Sequence, residues 1–383
     1  MSCRLVVITE IIAPYRIPVF NALAQKPGID LHVIFLAETD PTQRQWLVHK
    51  EEIRFSFEVL PSWRRRIHRR NLLLNWGVDS ALRLASPDAV VCGGYNYLAS
   101  WEALRWARRN RVPFLLWVES TVRDLRSGSL VLESLKRRFL QQCDGFTVAG
   151  KSSFEYLNSY GVPEHTIFTA PNAVDTDFFK QAAEQARRNE SENRRSLHLP
   201  KRYFLFVGRL VKEKGIFDLL EAYAMLAPEL RKQISLLFAG DGIARTELER
   251  RAAAIQPGSI QVAGFLQREA LAVFYALAEA FVFPTHSDPW GLVVNEAMVC
   301  GLPVICSSAA GCAADLVDRQ NGRVVCASAV GELASALNEL AIDPQLRAFM
   351  NRASMEKIQG YSPEACAAGM ARAALSCAEL QHA

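Results

Sequence analysis

Two carboxylates, Asp288 and Glu296, stand eight positions apart in the run from Pro284 to Ile305, and two cations, Arg209 and Lys214, stand five apart after an apolar run that ends at Val207. An aspartate followed by Pro289 reads as a helix N-cap and first helical position, because the carboxylate accepts from free N–H groups and proline has none to leave unpaired. The helix is then expected to run from Pro289 through Glu296 and Met298 and to stop at Gly301-Leu302-Pro303. On such a helix the two carboxylates lie about 12 Å apart along the axis, at ~1.5 Å per residue. That is too far to grip one atom but suits two parts of an elongated ligand. The N–H groups of Trp290, Gly291 and Leu292, at the positive end of the helix, would face an anionic or electron-rich group. Capping alone would also account for Asp288, with Glu296 left in solvent. Arg209 and Lys214 follow the expected strand Tyr203–Val207 at its carboxyl end, the ligand side of a doubly wound domain. Arginine can fork onto a phosphate and lysine acts as a mobile point charge. A diphosphate leaving group calls for both; a solvated basic loop is the plainer alternative.

The elements that must hold these groups are legible as alternating short apolar runs and amphipathic stretches. Leu5–Ile8, Leu31–Phe35, Ala89–Cys92, Phe114–Val118 and Gly145–Val148 read as buried parallel strands, with helices at Ile17–Ala24, Ser100–Arg109 and Leu130–Gln142 between them. A second series follows: strands Tyr203–Val207, Ile234–Ala239, Ile260–Val262, Ala280–Phe283, Val304–Cys306 and Gly322–Val325, and helices Ile216–Ala227, Thr246–Ile255, Arg268–Ala278 and Val330–Leu340. The pattern is α/β, with two facing doubly wound domains whose strand ends line a shared cleft. The heavily charged stretch 180–200 is read as a linker between a first domain, 1–179, and a second, 201–362; the alanine-rich tail, 363–383, is read as a helix packing back on the first.

A glycine-rich turn, Gly240-Asp241-Gly242, follows the second strand of the second half, but Arg245 stands where a dinucleotide fingerprint needs its third glycine. The turn after the first strand, Thr9 to Pro14, contains no glycine, which disfavours a nicotinamide or flavin enzyme. Gly240 and Gly242 are expected to permit close backbone approach, to a ligand or to a neighbouring helix.

The 383 residues exceed one core and suggest two domains, and a net charge of +4 is too small for a dedicated nucleic-acid binder. Nine cysteines are scattered with no C-x-x-C pair, which argues against a disulfide framework or structural zinc and fits a reducing cytoplasm. The seven histidines show no metal-ligand spacing, and His286 reads as a loop residue near the site. No signal-peptide layout opens the chain, and no run approaches the roughly 20 apolar residues of a membrane span. Membrane contact is therefore expected to be peripheral. Its candidate is the basic and aromatic segment Trp63 to Trp76, placed against the inner face of the membrane; the alternative is a solvated basic face with both tryptophans in the core.

Taken together, Phe206-Val207-Gly208-Arg209-Leu210 with Lys214-Gly215, Gly240-Asp241-Gly242, Gly264-Phe265, Asp288 through Ile305, Asn321-Gly322 and, upstream, Ala170 to Asp175 with Phe178 resemble glycosyltransferases of the GT-B fold, most closely the retaining glycosyltransferase family four. The resemblance spans nearly the whole chain and is strongest from Tyr203 to Val325. It implies that Arg209 and Lys214 neutralise the donor's diphosphate without a metal, that Glu296 holds the nucleotide ribose, and that Asp288 contacts the transferred sugar. Aspartate here replaces the family's usual glutamate, and Trp290 its phenylalanine. The amides of Trp290, Gly291, Leu292 and Val293 match the turn that binds sugar hydroxyls and phosphate. Gly208 and Gly240 fall in the donor-binding set, as does Leu266, beside which base recognition is expected. Glu119 stands in the place of a family histidine, either orienting a hydroxyl or forming a structural pair with a cation such as Arg16.

The implied activity is transfer of a sugar from a nucleotide diphosphate-sugar to a hydroxyl of a glycan or lipid-linked acceptor, in cell-surface polysaccharide biosynthesis. No cofactor and no nucleic acid is called for. The alternatives are a GT-B epimerase or phosphorylase, and a non-catalytic partner in a polysaccharide assembly complex. Retention of Arg209, Lys214 and Glu296 opposes the last, since a dead relative has no use for a leaving-group clamp.

Overall fold

The computed structural model describes residues 2–40, 46–67, 70–124 and 130–382. The chain divides into two compact units, Met1–Val174 with Ser362–Ala383, and Asp175–Tyr361.

The first unit is built on a parallel sheet of seven strands: β1 (Cys3–Thr9), β2 (Ile29–Phe35), β3 (Ser56–Val59), β6 (Ala89–Cys92), β7 (Phe114–Val118), β8 (Gly145–Val148) and β9 (Ile167–Thr169), in the order β3-β2-β1-β6-β7-β8-β9. A separate antiparallel ribbon joins β4 (Ser62–Ile67) to β5 (Arg70–Asn75). Alternation along β1 assigns its two faces: Leu5 and Val7 pack with Val33, Phe20 and Trp117, while Val6 and Ile8 pack with Ile34, Val90 and Leu116. Helices α1 (Ile17–Ala24), α2 (Val78–Ala85), α3 (Leu98–Asn110), α4 (Leu130–Leu140) and α5 (Lys151–Ser159) connect the strands. The C-terminal helix Pro363–His382 packs against α1 and lays Cys366, Ala367, Met370 and Ala374 on the Leu5 face, so the tail belongs to this unit.

The second unit carries six parallel strands: β10 (Tyr203–Val207), β11 (Ser235–Ala239), β12 (Ile260–Gly264), β13 (Ala280–Phe283), β14 (Val304–Ser307) and β15 (Gly322–Val325), in the order β12-β11-β10-β13-β14-β15. The chain order reverses between β10 and β13. A crevice opens at such a point, because the connections leaving the two strands turn to opposite sides.

The expected linker at 180–200 is not one. Helix α6 (Thr176–Arg188) is capped by Asp175, whose carboxylate accepts from the N–H of Phe178, and α7 (Glu190–Ser196) follows it. Phe179, Ala183 and Ala186 recur at helical spacing and are buried, and α6 packs on the second unit. The charges that suggested a linker cover the outer face of a helix whose buried stripe is narrow and mostly alanine. The boundary accordingly falls at Val174 rather than at residue 179.

Candidate functional site

The crevice of the second unit is lined by the connections leaving β10 and β13. After β10 come Gly208, Arg209 and a short 3-10 turn, Lys212–Lys214, before α8 (Ile216–Ala224). Gly215 sits at φ 69°, and a Cβ there would meet the Pro284 carbonyl oxygen at 2.0 Å, so the β10 and β13 connections touch backbone to backbone. The N–H of His286 donates to the Glu213 carbonyl at 2.9 Å, and the Thr285 hydroxyl donates to the same oxygen at 3.1 Å. The His286 ring pairs with Asp218 in the first turn of α8 at 2.7 Å, so the residue braces the β13 connection against both the β10 connection and α8.

This brace brings Lys214 and Asp288 into a direct, largely buried ion pair. The pair lies beside the Phe283 ring, whose centroid is 5.7 Å from the Lys214 ammonium. The other Asp288 oxygen accepts from the N–H of Trp290 at 3.0 Å. Asp288 is therefore a ligand of the loop rather than a helix cap. The helix, α12 (Leu292–Val299), begins three residues later than expected, after Gly291 at φ 97°. Two features displace its start. Gly291 is pressed onto Phe283 so closely that a Cβ would lie 2.6 Å from the ring, and the carbonyls of Asp288 and Trp290 accept from Gly311 and Cys312, at 2.9 and 3.1 Å. Tertiary pairing thus holds residues 288–290 outside the helix, with Asp288 bridged to Ala310.

The amides divide accordingly. The Trp290 N–H is committed to Asp288, whereas those of Gly291, Leu292 and Val293 donate to no protein acceptor among the described residues. They are the free donors of a helix N-terminus, and its partial positive charge reinforces them. The Trp290 side chain is buried, its indole N–H donating to Asn295 at 2.9 Å, so it supports the loop from beneath. Arg209 is exposed and makes no ion pair among the described residues.

Glu296 lies one turn along α12 from Leu292, about 6 Å at ~1.5 Å per residue. The Tyr275 hydroxyl of α11 (Arg268–Ala276; α9 and α10 are Pro228–Gln233 and Arg245–Ile255) donates to it at 2.8 Å. Glu296 is part-buried, and burial pushes its carboxyl up to about 7 while the hydrogen bond from Tyr275 pulls the other way. Arg187 of α6 donates to the carbonyl of Cys300 at the far end of α12, anchoring the helix from below.

Gly208 and Gly240, both part-buried, pack the loops that follow β10 and β11 against each other. At Gly240, with φ 145°, a Cβ would lie 1.9 Å from the Gly208 carbonyl oxygen, and its N–H donates to Gly264 at 2.7 Å. The close approach expected of this turn is thus to neighbouring backbone. Leu266 is part-buried in the connection after β12.

In the first unit the chain order reverses between β1 and β6. The Arg16 guanidinium pairs with Glu119 at 3.2 Å and lies 4.0 Å from the Trp117 ring centroid, the structural pairing that was one of two readings of Glu119. Missed from the sequence was Arg64 of β4, which pairs with Glu10 at 3.2 Å and with the buried Asp40. Glu10 follows β1 directly, so an ion-pair network stands at this unit's own crevice. Its partners are 24 or more residues apart in sequence, and only the ribbon's inward face brings Arg64 to them.

The segment Trp63 to Trp76 forms that ribbon. Trp63 pairs across with Leu74 and Arg65 with Leu72, on the face opposite the buried Leu73. Trp63, Leu72 and Trp76 are exposed. The side chains of 66–71 lie outside the described residues. No described helix is long and apolar enough to cross a membrane, and no group of three or more His, Cys, Asp or Glu among the described residues could hold a metal.

Residues 188–357 match the family Glycosyl transferases group 1, and residues 20–178 match Glycosyltransferase Family 4. Alpha-D-kanosaminyltransferase of Streptomyces kanamyceticus is 32% identical over 176 residues, 46% of this chain and 45% of that protein. O-antigen chain mannosyltransferase B of Escherichia coli is 29% identical over 167 residues, 42% of each. The matches span about half the length of the curated relatives. Among solved structures, Anabaena HepE in complex with UDP superposes with a TM-score of 0.77 at 16% identity, covering 98% of this chain and 100% of that one. That likeness shows the fold: two Rossmann-like units of the GT-B type.

Proposed function

The chain belongs to the glycosyltransferases of group 1, with a family 4 first half, and from that premise we propose that it transfers a sugar, with retention and without a metal, from a nucleotide diphosphate-sugar to a hydroxyl of a glycan or lipid-linked acceptor. The observation that carries this is the convergence at the β10/β13 crevice of the Lys214–Asp288 pair, the free N–H groups of Gly291, Leu292 and Val293, and the unpaired Arg209. A diphosphate placed there meets two cations and a helix N-terminus, which stabilise charge that grows as the leaving group departs. Glu296, further along the same helix, accepts from ribose hydroxyls. Asp288 holds Lys214 and faces the sugar. The bond from the anomeric carbon to the phosphate oxygen breaks with its electron pair going to the nucleoside diphosphate. The acceptor oxygen bonds to that carbon on the same face, and its proton passes to the departing phosphate. The acceptor belongs to the first unit, and Glu119, held by Arg16, positions its hydroxyl.

The ribbon's exposed face supports a finer placement, at the cytoplasmic surface of a membrane during cell-surface polysaccharide assembly. Tryptophan and leucine beside Arg65 suit the headgroup region of an anionic bilayer. Sedimentation with phosphatidylglycerol vesicles but not with phosphatidylcholine vesicles is the expected result.

The primary test is a thermal-shift panel of nucleoside diphosphates and nucleotide sugars. A ligand at about a hundred times its Kd adds roughly 2.7 kcal/mol of stability. Transfer assays with and without a chelator, and NMR of the product's anomeric configuration, then test metal independence and retention. Stabilisation by none of the nucleotides would overturn the proposal.

A further inference from the structure

A groove of about 330 Å³ runs along α3 on the first unit, lined by Trp101, Glu102, Arg105, Trp106 and Arg109, with Leu98 at one end and Asp79 of α2 on its bank. Positions 98, 101, 102, 105 and 109 recur at three- and four-residue spacing, so they form one stripe of the helix, about 16 Å long at ~1.5 Å per residue. The opposite stripe, Ala99, Ala103, Leu104 and Ala107, is buried in the core.

The lining combines two features. Trp101 is held in place: its indole N–H donates to the Tyr95 carbonyl at 3.2 Å, and its ring meets Phe139 edge-on at 4.8 Å. Trp106 is buried to 8% exposure and forms part of the groove's lining. Beside them Glu102, Arg105 and Arg109 make no ion pair or hydrogen bond among the described residues, although other charges on nearby helix faces are paired, as Asp79 is with Arg83 and Arg108 with Asp144. With Asp79 held by Arg83, the lining sets Glu102 against Arg105 and Arg109, a mixed surface whose carboxylate disfavours a phosphate or another strongly anionic ligand.

We infer that this groove is a carbohydrate-binding subsite, distinct from the β10/β13 crevice, that takes a linear, uncharged oligosaccharide. Planar carboxylate and guanidinium groups offer paired acceptors and donors to vicinal hydroxyls, and the partly exposed, rigidly held Trp101 indole, backed by the buried Trp106, supplies the apolar surface on which a pyranose face rests. The length of the stripe suits an extended chain of sugars. The inference rests on the proposed use of a glycan acceptor, whose growing chain would be the occupant and would be retained between rounds of transfer.

The test uses calorimetric titration of the full chain with linear pentasaccharides of glucose, galactose and mannose, in the wild type and in Glu102→Gln/Arg105→Ala. These side chains lie outside the core, so equal melting temperatures are expected. At least one pentasaccharide should bind the wild type and bind the variant at least tenfold more weakly, while the thermal shift with nucleoside diphosphate is the same in both. In transfer assays the variant should raise KM for a long acceptor and leave kcat unchanged. Binding of no pentasaccharide, or equal binding to both proteins, overturns the subsite. A wild type that binds a pentasaccharide but no nucleotide overturns the transferase reading instead and leaves the groove standing.

Discussion

Replacing Glu296 by glutamine should change how stability depends on pH, and the structure supplies the size. Burial raises the Glu296 carboxyl from 4.5 to about 7. The folded chain therefore holds this proton more tightly than the unfolded chain, and between these values folding is favoured by acid. Stability contributed at the site is complete below pH 4.5, falls as pH rises towards about 7, and levels off above it. At about 1.4 kcal/mol per tenfold change the full loss is about 3 kcal/mol, and the residual exposure of Glu296 brings it to about 2–3 kcal/mol. Glutamine keeps an oxygen for the Tyr275 hydroxyl and carries no charge. Glu296→Gln should match the wild type near pH 4.5 and exceed it by about 2–3 kcal/mol at pH 8, roughly 4–12 °C in Tm for a unit of this size. Thermal melts from pH 4.5 to 8.5 on both proteins measure it. Parallel curves would show that Glu296 is ionised at its ordinary pH and refute the burial argument. In the same pH range nucleotide affinity of the wild type should fall as the solution is acidified below about 7, because a protonated carboxyl loses acceptor capacity for ribose hydroxyls.

Arg209→Ala should leave folding stability within about 0.5 kcal/mol of wild type, since the side chain is exposed. Loss of its charge-assisted hydrogen bonds, about 1.5–3 kcal/mol, should weaken a nucleoside diphosphate roughly 10- to 150-fold and leave the bare nucleoside unchanged in calorimetry. Lys214→Ala, Asp288→Asn and the double variant form a cycle whose coupling should fall at about 0.5–3 kcal/mol by denaturant unfolding; additivity would deny the pair. Gly240→Ala drives a Cβ to 1.9 Å from the Gly208 carbonyl oxygen and should cost about 2–4 kcal/mol, read as a lower urea midpoint. Trp63→Ala/Trp76→Ala should reduce sedimentation with phosphatidylglycerol vesicles while folding stability stays within about 0.5 kcal/mol of wild type.

The central strands of both units were legible because their apolar runs are short, continuous and bounded by turn residues, as strands buried on both faces must be, whereas β3 and β9 at the edges of the first sheet were not, because neither has a fully buried residue to mark it. Arg209, Lys214 and Glu296 could be picked out because a strand end or a helix places them by local geometry. The ribbon β4–β5 was not legible. Its arginines and leucines lack alternation by type, and its inward face is held by Arg64 on Glu10 and Asp40. Helix α6 was mistaken for a linker because burial of three residues suffices when a large unit supplies the rest of the core.

Asp288 shows where the two sources of information part. Residue type and spacing determined a carboxylate beside a helix N-terminus and a lysine at a strand's carboxyl end. Only the tertiary structure decided that the carboxylate holds the lysine, that α12 starts at Leu292, and which N–H groups are left free. The reason is physical: Asp-Pro favours a cap by local energetics, but hydrogen bonds from Gly311 and Cys312 and the press of Gly291 on Phe283 come from chain segments that local sequence does not see.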